Sequence, residues 1–152
     1  MADKENTIKN YSQTWPMPKK ISPIIIIGTG GIVKDAHLPA YKKAGFEVNG
    51  LYDVDSEKAK NLAKEFGINN VFDSLEEAFQ NKDHIFDLAL PPANLLEVVE
   101  KLPENIYAVF QKPLGRSLEE GNKIRKICHQ KNIKACMNFQ LRFSPISLPV
   151  YE

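Results

Sequence analysis

The most strongly patterned stretch runs from Pro23 to Val33: four consecutive isoleucines, Ile24–Ile27, are followed by Gly28-Thr29-Gly30-Gly31-Ile32-Val33. Four apolar residues with no polar alternation predict a strand buried on both faces, as in the middle of a parallel sheet. Residues 32–44 read as a helix interrupted by Pro39. Proline has no N–H and clashes with the preceding turn, so a kink or a fresh helix start near Leu38 is expected, with Gly45 as the stop. Residues 46–53 partly alternate and predict a second strand that ends at Asp53. Ser56 is placed to cap a helix through Phe66, which Gly67 closes.

The alternation continues to the end of the chain. Val71 and Phe72 form a short third strand. Asp73 or Ser74 caps a brief helix over 75–80, with Glu76 and Glu77 in its first turn. Residues 85–90 are strand four and end at Pro91-Pro92; a helix over 94–102 stops at Pro103. Residues 106–110 are strand five, followed by Gln111-Lys112-Pro113. Ser117 and Glu120 have capping-box spacing for a helix reaching Lys131, and 133–139 is strand six. Strands alternating with helices predict an α/β fold with a doubly wound parallel sheet, a Rossmann arrangement. The domain is expected over 23–140. Residues 1–22 form an N-terminal arm that Tyr11, Trp15 and Met17 could anchor, and 141–152, with Pro145 and Pro149, lack a clear regular element.

Composition narrows the function. At 152 residues the chain is long enough for one domain with a core, and 43% apolar with 26% charged residues is ordinary for a globular protein. A net charge of +1 supplies no electrostatic reason to bind nucleic acid or an anionic membrane. No apolar run is long enough to span a bilayer, and the polar N-terminus lacks a signal core, so a cytoplasmic protein is expected. Cys128 and Cys136 are therefore read as reduced thiols. His37, His84 and His129 are scattered and no metal site is expected; His37 reads as a helix-start or packing residue, and His84 and His129 as surface residues.

Strand, glycine turn and helix start together read either as an ordinary turn of an α/β fold or as a place to hold a dinucleotide pyrophosphate. Glycine lets the backbone approach the phosphates, and a helix start offers free N–H groups. Gly28 and Gly30 fill the first two fingerprint positions; Val33 stands at the third, where Gly or Ala is usual. Asp53 lies 20 residues beyond Val33. It reads either as a solvated strand-end carboxylate or as the acceptor for the adenosine ribose hydroxyls; in the second case a 2′-phosphate would meet a like charge, which favours NAD over NADP. Lys112, at a strand end, reads by itself first as a solvated surface charge; the other reading is a donor to a substrate hydroxyl or carbonyl.

The ordered set Gly28-Thr29-Gly30-Gly31-Ile32, His37-Leu38-Pro39-Ala40-Tyr41, Asp53, Gln111-Lys112-Pro113-Leu114-Gly115 and Asn138-Phe139-Gln140-Leu141-Arg142-Phe143-Ser144-Pro145 resembles the Gfo/Idh/MocA oxidoreductases, which include glucose-fructose oxidoreductase-like and inositol 2-dehydrogenase-like enzymes. The resemblance spans roughly residues 22–146. It implies the nucleotide-binding domain of a two-domain NAD(P)-dependent dehydrogenase of sugars, cyclitols or related polyols, assembled as a homo-oligomer. It also implies that Lys112 takes the place of the lysine in the family's Glu-Lys-Pro motif, close to nicotinamide and substrate. Gln111 replaces that motif's Glu, keeping its shape but not its charge. Leu90 replaces a Thr, and Leu95 stands where many members have His, which alters the expected contacts to the nicotinamide ribose. The implied cofactor-binding set is Gly28, Thr29, Gly30, Gly31, Ile32, Asp53, Leu90, Pro91, Gln111, Lys112 and Asn138, with Lys112 also catalytic. The family's second domain, a mainly antiparallel sheet that supplies an acid–base Asp and His, has no counterpart in this chain, so the chain alone is expected to be inactive. The alternative is a stand-alone dinucleotide-binding module.

Overall fold

A computed structural model describes residues 17–144. The arm up to residue 16, with Tyr11 and Trp15, and the stretch from residue 145 onward lie outside the described residues. One compact unit comprises Ile21–Asn138. Separately from it, Gln140–Phe143 forms a 3₁₀ turn in which Arg142 N–H donates to the Phe139 carbonyl, so part of the expected irregular tail is regular.

The unit holds six strands: β1 (Ile24–Ile27), β2 (Val48–Tyr52), β3 (Asn70–Val71), β4 (Ile85–Leu88), β5 (Tyr107–Phe110) and β6 (Lys134–Met137). All pairs are parallel and the order is β3-β2-β1-β4-β5-β6. The order therefore reverses between β1 and β4. In an open α/β sheet, that is where a crevice opens at the carboxyl ends of the strands.

β1 lies in the centre, and Ile25, Ile26 and Ile27 have no solvent exposure. Ile25 and Ile27 pack with Phe86, Leu88, Ala108 and Phe110 against three helices: α3 (Leu75–Ala78), α4 (Pro92–Lys101) and α5 (Leu118–Gln130). Ile24, Ile26 and Leu51 face α1 (Leu38–Ala44) and α2 (Ser56–Phe66) through Leu38, Leu62 and Ala63. β-branched side chains suit such a pleated surface, because their stiff rotamers lose little freedom there. No helix among the described residues is long and apolar enough to cross a membrane.

The helix ends follow their caps, with two corrections. Ser74 and Ser117 accept from the N–H of Glu77 and Glu120, and Gly45 and Gly67 close α1 and α2 at φ 74° and 70°. At α2, however, the cap is Asp55, which accepts from Lys58 N–H, rather than Ser56, the first helical residue. At α5, the Glu120 carboxylate reaches the N–H of Arg116 rather than that of Ser117. α4 starts at Pro92, since the missing proline N–H costs nothing at a first helical position. α3 is shorter than the predicted 75–80.

Strands are trimmed at both ends: β2 starts at Val48 rather than 46 and β5 at Tyr107 rather than 106, while β4 ends at Leu88 rather than 90 and β6 at Met137 rather than 139. Ala89 and Asn138 still donate to Ile27 C=O and Phe110 C=O, and the chain leaves the ladder beyond them, at the carboxyl edge. Pro39 acts as a fresh helix start, preceded by a π turn at Val33–His37 in which Leu38 N–H reaches back to Val33 C=O. His84 is buried, not on the surface; its Nε2 lies 2.7 Å from Asn49 Nδ2 and its Nδ1 2.8 Å from Asp83 Oδ1. His129 is exposed. Both cysteines are free thiols, Cys128 buried and Cys136 exposed.

Candidate functional site: the carboxyl edge of the sheet

The crevice at the strand reversal is built from the ends of β1, β2 and β4. Gly28 leaves β1 at φ +95°, and a Cβ there would lie 2.6 Å from the Ala89 carbonyl oxygen. Its N–H still donates to Tyr52 C=O at 2.7 Å, so the turn begins while β1 is held by β2. Only a residue without a side chain fits both the angle and the approach.

Thr29 is buried and faces Asp53. Its N–H and its hydroxyl both donate to Asp53 Oδ2, at 2.6 and 2.7 Å. Asp53 Oδ1 accepts from Asp55 N–H at 3.0 Å, and Lys58 Nζ stands 4.0 Å from Oδ2. Burial raises the pKa of this half-buried carboxyl. The Asp55 N–H, the Thr29 hydroxyl and N–H, and the Lys58 charge outweigh that and hold it below the usual carboxylate range. The charge is therefore present at neutral pH and is lost only as pH falls through that lowered value.

Gly30 and Gly31 follow at the mouth. A Cβ on Gly30 would meet nothing within 4 Å, so the space over this peptide is open. Gly30 C=O accepts from Val33 and Lys34 N–H, which turns the chain into the π turn, and Ile32 is exposed. Beside the loop lies a cavity of about 470 Å³ lined by Thr29, Gly30, Gly31, Lys34, Lys58 and Asn61, among others. A cradle with open space at its second glycine and a fixed carboxylate at its rim fits a dinucleotide phosphate and ribose.

The rest of the predicted set lies along the same edge. Leu90 and Pro91 follow β4, with Leu90 half-buried and Pro91 exposed. Gln111 and Lys112 follow β5, and Asn138 follows β6. Asn138 Nδ2 donates to Gln111 Oε1 at 3.3 Å, joining the ends of β5 and β6. The Gln111 Nε2 is buried and has no partner among the described residues. Lys112 is exposed and makes no hydrogen bond or ion pair among them. Its peptide bond to Pro113 is cis. Among the described residues, no group of three His, Cys, Asp or Glu side chains could hold a metal ion.

A further cluster was not legible in the sequence. Asp87, in the middle of β4, has no solvent exposure; its Oδ2 takes hydrogen bonds from His37 Nδ1 at 2.6 Å and from the Tyr41 hydroxyl at 2.9 Å. Burial, then the Asp87 charge and hydrogen bond, push the Tyr41 phenol far above its ordinary value, so it stays a donor. The available signal was a carboxylate between Phe86 and Leu88 in an otherwise apolar strand.

The model of the oxidoreductase family with an NAD-binding Rossmann fold (Gfo/Idh/MocA) matches residues 23–139. Glucose-6-phosphate 3-dehydrogenase of Bacillus subtilis is 27% identical over 126 residues, covering 78% of this chain and 33% of that protein. D-xylose 1-dehydrogenase (NADP(+)) 2 of Haloferax volcanii is 26% identical over 125 residues, covering 80% and 38%. The crystal structure of an oxidoreductase from Thermotoga maritima superposes with a TM-score of 0.74 at 26% identity, over 81% of this chain and 39% of that one. The chain thus spans about a third to two fifths of the length of these relatives. The family match, the reversed parallel sheet and the glycine loop at its switch point agree: this chain belongs to the Gfo/Idh/MocA oxidoreductase family and carries its NAD(P)-binding Rossmann domain.

Proposed function

We propose that this domain binds NAD in preference to NADP and forms the cofactor half of a dehydrogenase that acts on a sugar, a cyclitol or a related polyol. The observation that carries the cofactor preference is Asp53, ionised and held at the rim of the glycine loop by Thr29 and Asp55. In this reading the backbone of Gly28, Thr29, Gly30, Gly31 and Ile32 holds the pyrophosphate, and Asp53 accepts from the adenosine ribose. Leu90, Pro91, Gln111, Lys112 and Asn138 surround the nicotinamide end. The chemistry supplied by a bound NAD is hydride transfer at the nicotinamide. Lys112 faces the substrate and donates to its reacting hydroxyl or carbonyl oxygen.

Asp53 and Lys58 pull cofactor choice in opposite directions. A 2′-phosphate would face the Asp53 carboxylate, while Lys58 would attract it. Lys58 is half-exposed and 4.0 Å from the carboxylate, so solvent screens it more than it screens Asp53. The carboxylate wins, but by a modest margin. Calorimetry is expected to show NAD binding about tenfold more tightly than NADP, which corresponds to roughly 1.4 kcal/mol. Asp53→Ala should bring the two within about twofold. Equal affinities in the unsubstituted protein would sink the assignment.

Turnover needs groups fixed on both cofactor and substrate. The described residues supply the cofactor side and Lys112. The acid–base partners, the substrate contacts and assembly into a homo-oligomer are proposed to belong to a protein of the relatives' greater length.

A further inference from the structure

Asp87 lies in the ladder between Ile26 on β1 and Val109 on β5, with no solvent exposure. A carboxylate at such a place is costly unless its oxygens are well bonded. Only Oδ2 is; Oδ1 of Asp87 and Nε2 of His37 are buried without partners among the described residues. An apolar residue would pack there at less cost, so the pair with His37 calls for an explanation other than core stability.

Its position supplies one. His37 is the last residue of the π turn, and the first, Val33, donates its N–H to Gly30 C=O at 3.0 Å. Two residues beyond Asp87, Ala89 presents its carbonyl to Gly28, and Leu90 and Pro91 follow. The His37–Asp87 bond therefore ties the far end of the glycine-loop turn to the strand that forms the other wall of the crevice. A π turn carries one residue more than an α turn and is uncommon without outside support. Losing that residue would rotate the two ends relative to each other by about 100°, one residue's worth of helix.

We propose that His37 and Asp87 are a positioning pair that holds the π turn in register and so sets the angle at which the glycine-loop N–H groups meet a dinucleotide pyrophosphate. The pair acts through the backbone and touches no ligand. The proposal rests on the reading of the domain as an NAD binder.

Tyr41 is an internal control. It bonds the same carboxylate oxygen, but from α1, beyond the π turn. His37→Leu and Tyr41→Phe each delete one hydrogen bond to Asp87, and both should lower the urea midpoint. Titration calorimetry with NAD should separate them: His37→Leu weakens binding about tenfold, and Tyr41→Phe changes it by less than about twofold. His37→Asn, whose amide Nδ2 stands where the imidazole Nδ1 stood, should restore affinity to within about threefold. His37→Gln is polar but sets its amide one atom further out, so it should behave like the Leu variant and decides the question if that variant does not fold. Wild-type affinity in His37→Leu or His37→Gln would overturn the proposal, as would an equal loss in Tyr41→Phe, because affinity would then track stability. If the unsubstituted protein binds neither NAD nor NADP, the NAD-binding reading itself falls.

Discussion

Gly28→Ala is expected to destabilise the domain by about 3 kcal/mol or more, measured as a fall in urea midpoint at unchanged slope. Two costs combine. The φ of +95° lies where L side chains are strained, and the new Cβ would stand 2.6 Å from the Ala89 carbonyl oxygen and 3.1 Å from its carbon. Those are backbone atoms, and Ala89 N–H is bonded to Ile27 C=O at 2.9 Å, so neither side can yield without separating β1 from β4. Gly30→Ala supplies the contrast. A Cβ there meets nothing within 4 Å, so stability should change by less than about 1 kcal/mol. It would fill the open space over the loop, and NAD affinity should fall instead. A Gly28→Ala protein as stable as the parent would show that the turn is not held as described.

The features that could be read in advance were those written by local chemistry. The isoleucine run, the serine caps and the glycine stops each act through neighbours within a few residues, so element order, parallel pairing and the position of Asp53 followed from the chain alone. What could not be read depends on contacts made across the fold. Asp55 and Ser56 are adjacent and both competent to cap; the backbone angle that the fold imposes after Asp53 selects the first. The π turn and an α turn place similar demands on the side chains of 33–37, and the contact that His37 makes from the end of that turn lies fifty residues away, on Asp87. His84 sits among polar residues and reads as exposed until Asn49 on the next strand but one covers it. The ends of β4 and β6 were overestimated because apolar residues continue past the strands: Ala89 and Leu90 still pack against the core after β4 has ended, and Phe139 is exposed. At the site, residue types and order were legible, but the Thr29–Asp53 bonds and the Gln111–Asn138 bridge were not, since each joins strands distant in sequence.

Lys112→Ala is expected to reduce turnover about a thousandfold in a dehydrogenase that carries this domain, while NAD affinity stays within about threefold. The reasoning begins with what Lys112 lacks. It is exposed and bonded to nothing among the described residues, so its removal should alter stability by less than about 0.5 kcal/mol. Nor does it stand at the glycine loop, where the proposed reading places the pyrophosphate. What remains is its place on the carboxyl edge after β5; on the reading proposed above, its ammonium would donate to the carbonyl oxygen that gains charge as hydride arrives, or in the reverse direction to the alkoxide from whose carbon hydride leaves. That interaction strengthens only as the reaction proceeds, so its loss appears in kcat rather than in cofactor binding. Gln111, beside it, is uncharged and bridged to Asn138, which leaves Lys112 without a carboxylate neighbour on its own strand end. Lys112→Arg should rescue little, because a guanidinium keeps the charge but presents a planar fork and cannot give up its proton. Steady-state kinetics on both variants, with calorimetry on the same preparations, separates the outcomes. Turnover retained in Lys112→Ala would remove the residue from the mechanism, and a parallel loss of NAD affinity would reassign it to cofactor binding.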